Sequence, residues 1–187
     1  MNPKTVTVTN GSSDLSAKNL ADDGDSAVLD LARTAFTHAR AGNVPPLLAL
    51  LDAGLPVRLR NERGDSLLML ASYYGHLEAA RLLLERGADP EQTNDAGQTP
   101  LAGAAFKGNA AIALLLLDHG ARVDGMGDDG RTALMFAAMF DKVDLVELLL
   151  QRGASREHRD VDQRTALDYA RSLGAWRSAT RLESPAS

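Results

Sequence analysis

Residues 97–121 read GQTPLAGAAFKGNAAIALLLLDHGA, and the chain repeats this stretch. Residues 64–88, GDSLLMLASYYGHLEAARLLLERGA, and residues 130–154, GRTALMFAAMFDKVDLVELLLQRGA, keep its order of turn, apolar and leucine-rich positions. Gly64, Gly97 and Gly130 lie 33 residues apart, as do Gly54, Gly87, Gly120 and Gly153. A fixed period of this length is the signature of a repeat architecture and has to be read before any local motif. Ser66, Thr99, Thr132 and Thr165 share one register, and the triplets Leu82 to Leu84, Leu115 to Leu117 and Leu148 to Leu150 share another. Ala49-Leu50-Leu51, ahead of Gly54, carries the pattern upstream.

Each recurrent residue has a physical task. Ser66, Thr99, Thr132 and Thr165 suit a helix N-cap, where the hydroxyl accepts an otherwise unpaired N–H, and Pro100 follows where its missing donor costs nothing. Ala71, Ala104, Ala137 and Ala170 recur inside this first helix, small enough to let a neighbouring helix approach. A second helix follows Gly42, Gly75 or Gly108, with apolar residues at helical spacing such as Leu77, Ala80, Leu83 and Leu84. Gly87, Gly120 and Gly153 mark its end, because glycine adopts the left-handed closing conformation at least cost. Pro45 and Pro46 fit the scheme at the start of the second helix in the first unit.

On these residues the units resemble ankyrin repeats, with Thr99-Pro100-Leu101, the glycine before the second helix and the Gly120-Ala121 ending as the most specific marks. The resemblance implies an all-α fold, an ankyrin-repeat α-solenoid of stacked helix-turn-helix units with projecting hairpin-like loops. It divides the chain into a polar segment, 1–25, as tail or strap; one domain, 26–182; and a tail, 183–187. Within the domain it implies an N-terminal cap repeat at 26–60, full repeats at 61–93, 94–126 and 127–159, and a C-terminal cap repeat at 160–182. A single unit cannot bury its own apolar face, so stability comes from stacking and the end units must differ. A long first helix from near Ser26 to Ala41 fits an N-terminal cap, and Gln163, Trp176 and Arg181 replace family residues in the last unit. Met69, Ala102, Met135 and Asp168 stand where the family carries a histidine after Thr-Pro-Leu, which removes the usual source of histidine hydrogen bonds between repeats. In residues 1–25, the alternation Thr5 to Thr9 reads either as an edge strand or as part of a polar tail.

Composition narrows the functional classes. A net charge of -5 and a pI near 5.3, with dispersed Lys and Arg, provide no attraction for phosphate backbones, so no nucleic acid is expected. No apolar run approaches the roughly 18 to 20 residues that span a bilayer, and no secretory h-region follows Lys4, so the expectation is a cytoplasmic protein without membrane contact. Cysteine is absent, which excludes disulfides and thiolate chemistry.

One motif argues for an enzyme. Gly125-x-Gly127-x-x-Gly130, in GMGDDG, has the spacing of a dinucleotide-binding fingerprint. That fingerprint needs a strand before it and a helix opening within it, whereas a leucine-rich helix precedes this one. Asp128 and Asp129 would also repel a pyrophosphate. Gly125 and Gly127 then read as extra freedom in the most acidic and most flexible tip. Asp124, Asp128 and Asp129 lack the distal bidentate Glu of an EF-hand, and His38, His76, His119 and His158 stand at no metal or catalytic spacing. No nucleophile with its base is visible, so the expectation is a chain that is not an enzyme and takes no cofactor or metal.

What remains is surface. Positions 69 and 73, four apart on the first helix, share a face that lines the concave groove in ankyrin proteins. The corresponding positions, each with the next residue, hold Tyr73 and Tyr74, Phe106 and Lys107, and Met139 and Phe140, and four of the chain's eight aromatic residues fall here. Such residues make interface hot spots, with Met69, Met135 and Met139 as a softer apolar edge. The alternative is that the rings only cover the joints between repeats. The hairpin tips supply a polar rim of Glu62, Arg63, Asp65, Asp95, Gln98, Asp128, Asp129 and Arg131.

The expected function is therefore a non-enzymatic, monomeric module that binds another protein through its groove and loop tips. The resemblance to small bacterial-looking ankyrin proteins adds the role of a dedicated companion, inhibitor or protector of an enzyme. Two other readings stay open: a small-molecule-binding or enzymatic protein using the groove, and a structural protein that self-associates through Trp176 or the first helix.

Overall fold

A computed structural model describes residues 9–10, 13–14 and 23–184. Its elements are β1 (Thr9–Asn10), β2 (Ser13–Asp14), α1 (Asp23–Ala41), α2 (Val44–Asp52), α3 (Leu67–Tyr74), α4 (Leu77–Glu85), α5 (Pro100–Lys107), α6 (Ala110–Asp118), α7 (Ala133–Met139), α8 (Val143–Gln151), α9 (Ala166–Ser172) and α10 (Trp176–Glu183). β1 and β2 form a two-residue antiparallel pair, and every other named element among the described residues is helical. The expectation for residues 1–25 lies largely outside the described residues, and the Thr5 to Thr9 alternation does so except at Thr9.

The helices pair within each repeat and stack between repeats in chain order, as expected of an ankyrin solenoid. First helices α1, α3, α5, α7 and α9 pack on one another more extensively than second helices α2, α4, α6, α8 and α10 do. The alanine register explains this: Ala71, Ala104, Ala137 and Ala170 are fully buried, and each lets the next first helix come close. Leucines of the second helices, including Leu83, Leu116 and Leu149, fill the other side of the same core.

Helix ends follow the sequence with one exception. Ser66, Thr99 and Thr165 accept the N–H of Met69, Ala102 and Asp168 respectively. Asp168 also accepts the Thr165 N–H, completing a capping box. Thr132 occupies the same position, but its buried hydroxyl makes no hydrogen bond, and nothing in the structure explains it. Pro45 and Pro46 sit in the first turn of α2.

α1 starts at Asp23, three residues before Ser26, and runs for 19 residues where α3 and α5 have 8. Arg33, Phe36, Thr37 and Arg40 of α1 meet Asn61, Glu62 and Arg63 of the first hairpin tip around a shallow hollow. The same first-helix positions of α3, Met69, Leu70 and Tyr73, meet the next tip in the same way. At the other end α10 is held from outside itself. Asp141 accepts the Ser178 N–H, and the Arg156 guanidinium donates to the Leu182 and Ser184 carbonyls. Asp141 occupies the register of Gly75 and Gly108 and keeps their left-handed backbone at φ 52°, and Gln163, in place of the turn glycine, does the same at φ 63°.

Candidate partner-binding groove

The first helices end on Tyr73 and Tyr74 in α3, Phe106 and Lys107 in α5, and Met139 with the following Phe140 in α7. Because the repeats stack in register, these side chains meet across the joints. The Tyr73 ring stacks on Phe106 at 5.8 Å and meets Tyr74 edge-on at 5.4 Å, while Phe106 meets Phe140 edge-on at 4.5 Å. Such geometries are favourable beyond the area they bury. The Lys107 ammonium lies 4.5 Å from the Tyr73 ring centroid, a cation–π contact. Tyr74 and Phe140 remain 49% and 43% exposed, whereas Tyr73, Phe106 and Met139 are partly covered.

Two expectations on this face need correction. Met69 is 3% exposed and Met135 is fully buried. Both sit at the third position of their helices; Met135 belongs to the core, whereas Met69, though largely covered, still lies in the wall of the hollow beside Tyr73 and Tyr74, so Met69 and Met139 are left to soften the edge. The stripe also extends further than expected. Leu173, one 33-residue period beyond Phe140, is 60% exposed, and Trp176 after it is 69% exposed. The period alone could have found Leu173.

The hairpin tips are built by a repeated side-chain clamp. Asn61 accepts the N–H groups of Arg63 and Asp65, Asn94 those of Ala96 and Gln98, and Asp160 those of Asp162 and Arg164. Short Asn and Asp side chains mimic a backbone turn in this way. Several rim residues consequently have partners within the protein, although the Asp95 side chain stays exposed. Asp65 accepts from the side-chain amides of Asn61 and Asn94, Gln98 accepts from Asn94, and Asp95 pairs with Arg60 at 2.9 Å. Asp129 pairs with Arg131, whose guanidinium also lies over the Phe136 ring. Glu62, Arg63, Asp95 and Asp128 are exposed. Among the groove residues, Tyr73, Tyr74 and Met69 share an open hollow of about 580 Å³ with Arg40, Glu62 and Arg63, joining the ladder to the first two tips.

In the GMGDDG tip Gly127 stands in the register of Asn61 and Asn94, so the clamp is missing. The two additional glycines are not there for freedom. A Cβ on Gly127 would lie 1.7 Å from the Gly97 carbonyl oxygen, and one on Gly125 would lie 2.8 Å from the Glu91 carboxylate. Neither needs a positive φ; both allow close approach to the preceding repeat. The glycines are packed against the preceding repeat, while Met126 and Asp128 beside them are exposed.

The histidines are structural. His76 Nε2 is 2.9 Å from the Arg40 carbonyl and His158 Nε2 is 3.0 Å from the Gly130 carbonyl, so histidine hydrogen bonds do join repeats, from other positions than the family's usual one. His119 Nδ1 lies 2.9 Å from the Leu115 carbonyl at the end of α6. Titration shifts gather in the last repeat. Burial raises the Asp160 carboxyl, but the Tyr169 hydroxyl and the Arg164 and Asp162 N–H groups outweigh it and hold it below its ordinary value. The same burial and the same carboxylate push the Tyr169 hydroxyl up. The Thr165 backbone and side chain hold Asp168 low. These groups brace the final hairpin and α9. Among the described residues no cluster of His, Asp or Glu is disposed to hold a metal ion, and no helix is long and apolar enough to cross a membrane.

The family model for ankyrin repeats, three copies, matches residues 35–126 and 123–178. The chain belongs to the ankyrin-repeat family. This ankyrin-repeat protein is 52% identical over 59 residues to an ankyrin repeat protein of Pseudomonas aeruginosa, a match covering 29% of this chain and 34% of that relative. The matched part is thus about a third of the relative's length. Ankyrin repeats are in general protein–protein interaction modules, and in this one the stacked first helices carry a continuous aromatic edge.

Proposed function

We propose that the protein binds another protein through the groove lined by the first helices and through the hairpin tips, as the dedicated companion, inhibitor or protector of one partner. The observation that carries this reading is the ring ladder Tyr74, Tyr73, Phe106 and Phe140. It runs unbroken across three repeats with its two outer rings half exposed. Inner rings braced on their neighbours hold the outer ones in place, so little side-chain entropy is lost when a partner covers them. Rings that served only to seal the joints would have no need of exposed faces at both ends. Arg63 and Asp128 at the tips, clear of the ladder, would act on orientation and association rate.

The partner surface comprises Tyr73, Tyr74, Phe106, Lys107, Met139 and Phe140, with Glu62, Arg63 and Asp128 at the rim. Asp65, Asp95, Gln98, Asp129 and Arg131 support the rim by fixing the tips. The test is capture from native lysate by the wild-type protein and by the double variant Tyr74→Ala, Phe140→Ala. One stoichiometric protein retained by the first and lost by the second is the expected result; equal capture by both would move the site off the ladder. A small molecule that raises the melting temperature, with no captured protein, would instead favour a ligand-binding groove.

A further inference from the structure

Tyr74, Lys107 and Phe140 occupy one position in three successive repeats, each 33 residues from the next, so the exposed edge reads apolar, cationic, apolar along the stack. Between Tyr74 and Lys107 lies an open depression of about 420 Å³, lined also by Tyr73, Gly108 and Asn109. Its lining offers two side-chain nitrogens as donors, from Lys107 and Asn109, beside tyrosine hydroxyls that can donate as well as accept. The Lys107 ammonium faces the Tyr73 ring, which accepts charge but cannot accept all three of its N–H bonds. The Asn109 oxygen is committed to the Ile112 N–H as the cap of α6, which leaves its Nδ2 group beside Gly75 as the part open to a ligand. The stem of Lys142 lies over Gly108 at the margin of the depression. No carboxylate lines the depression itself: Asp141, beside Phe140, accepts the Ser178 N–H, and Glu62, Asp65 and Asp95 lie in the adjoining hollow toward the tips, where Asp65 accepts from Asn94 and Asp95 pairs with Arg60.

From this charge pattern we infer that the depression receives a carboxylate side chain of the partner, flanked by apolar residues that cover Tyr74 and Phe140. The inference rests on the groove reading above and names the chemistry of its occupant: an acidic amphipathic helix lying across the first helices. The spacing suits a helix. Packed helices stand about 8 to 10 Å apart, and seven residues of a helix rise about 10.5 Å. An apolar residue, a carboxylate and a second apolar residue at successive intervals of seven therefore meet Tyr74, Lys107 and Phe140 in turn.

The test uses two synthetic helical peptides with Phe at both outer positions, differing only in Glu or Lys at the centre, with binding read by fluorescence anisotropy. The Glu peptide is expected to bind saturably and at least about tenfold more tightly than the Lys peptide, with the difference shrinking as salt is raised. Lys107→Glu should reverse the preference. Asn109→Asp, which keeps a good helix cap but replaces the donor by an acceptor, should weaken the Glu peptide. Thermal melts establish that both variants remain folded. Equal binding of the two peptides overturns the carboxylate inference and leaves the groove reading standing. No saturable binding of either peptide up to about 1 mM overturns the helical occupant. The groove reading is then judged separately, by the captured partner and the Tyr74, Phe140 variant.

Discussion

The Asp141 carboxylate accepts the backbone N–H of Ser178 across 2.8 Å, so α10 is capped from the repeat before it. Ala175, at the N-cap position of α10 itself, has no side-chain acceptor to offer. This accounts for an aspartate in the register of Gly75 and Gly108: the cap compensates for a left-handed backbone that glycine would adopt more easily. Asp141→Ala should destabilise α10 by about 1 to 2 kcal/mol, losing the cap while keeping the unfavourable backbone. Asp141→Gly should cost less, because it relieves that backbone. Urea unfolding followed by Trp176, the chain's single tryptophan and the first residue of α10, reads this end of the stack. A glycine variant less stable than the alanine variant would refute the account.

The last repeat should respond to acid. The Tyr169 hydroxyl donates to Asp160 at 2.5 Å, and the folded state holds that carboxyl below its ordinary value of 3.8. A depressed folded value contributes stability above the ordinary value, and this is lost as pH falls through the lower folded one. The Trp176 region should therefore loosen below about pH 4. Tyr169→Phe should cost about 1 to 3 kcal/mol at neutral pH by leaving a buried carboxylate under-paired, and should flatten the acid dependence. An unchanged acid profile would show that Asp160 is not the group responsible.

Gly127→Ala should be the most damaging single methyl in the hairpins. Its Cβ would meet the Gly97 backbone, which cannot swing aside, so a loss of about 2 to 3 kcal/mol is expected in thermal or urea melts. Gly125→Ala meets the Glu91 side chain first, and that can move, although the Arg122 carbonyl at 3.0 Å adds some strain. It should cost less. Asp128→Ala should leave stability within about 0.5 kcal/mol, the ordinary range for an exposed position.

Tyr74→Ala with Phe140→Ala should weaken a captured partner by several kcal/mol, the scale of paired aromatic hot spots, while lowering stability far less because both rings are half exposed. Isothermal titration alongside a thermal melt separates the two effects. Arg63→Ala should act mainly on the association rate and its salt dependence.

Charge reversal on the back of the stack should do little. Arg86 pairs with Asp52 and Arg152 with Asp118, one helix to the next, but both pairs are exposed to water. Arg152→Glu is expected to cost no more than about 1 kcal/mol, and less in high salt.

The repeat period made the helices legible, because one chemical pattern recurs at Ser66, Thr99 and Thr165 and again at the leucine triplets. The aromatic edge was legible for the same reason, as one position read across units. Relationships that break the register were not. Nothing local to Asp141 indicates that it caps a helix 37 residues on, or that Arg156 closes the far end of the same helix. Met135 shares a helix face with the groove residues, yet one turn nearer the core it is fully buried, a matter of packing depth that periodicity does not carry. The acidic tips were visible as charge, while the partners that bind Asp65, Asp95 and Asp129 come from the next repeat, the preceding hairpin and the same turn respectively, and emerge only in three dimensions.

The contact between Gly127 and Gly97 bears on how such a chain can be recombined. The inner helices are nearly interchangeable, but the tip at 125–130 approaches its predecessor too closely for any unit that carries a side chain at that place in this conformation. Duplicating, deleting or permuting repeats would have to preserve this junction, so the array has a reading order fixed at one hairpin although its helices would tolerate several.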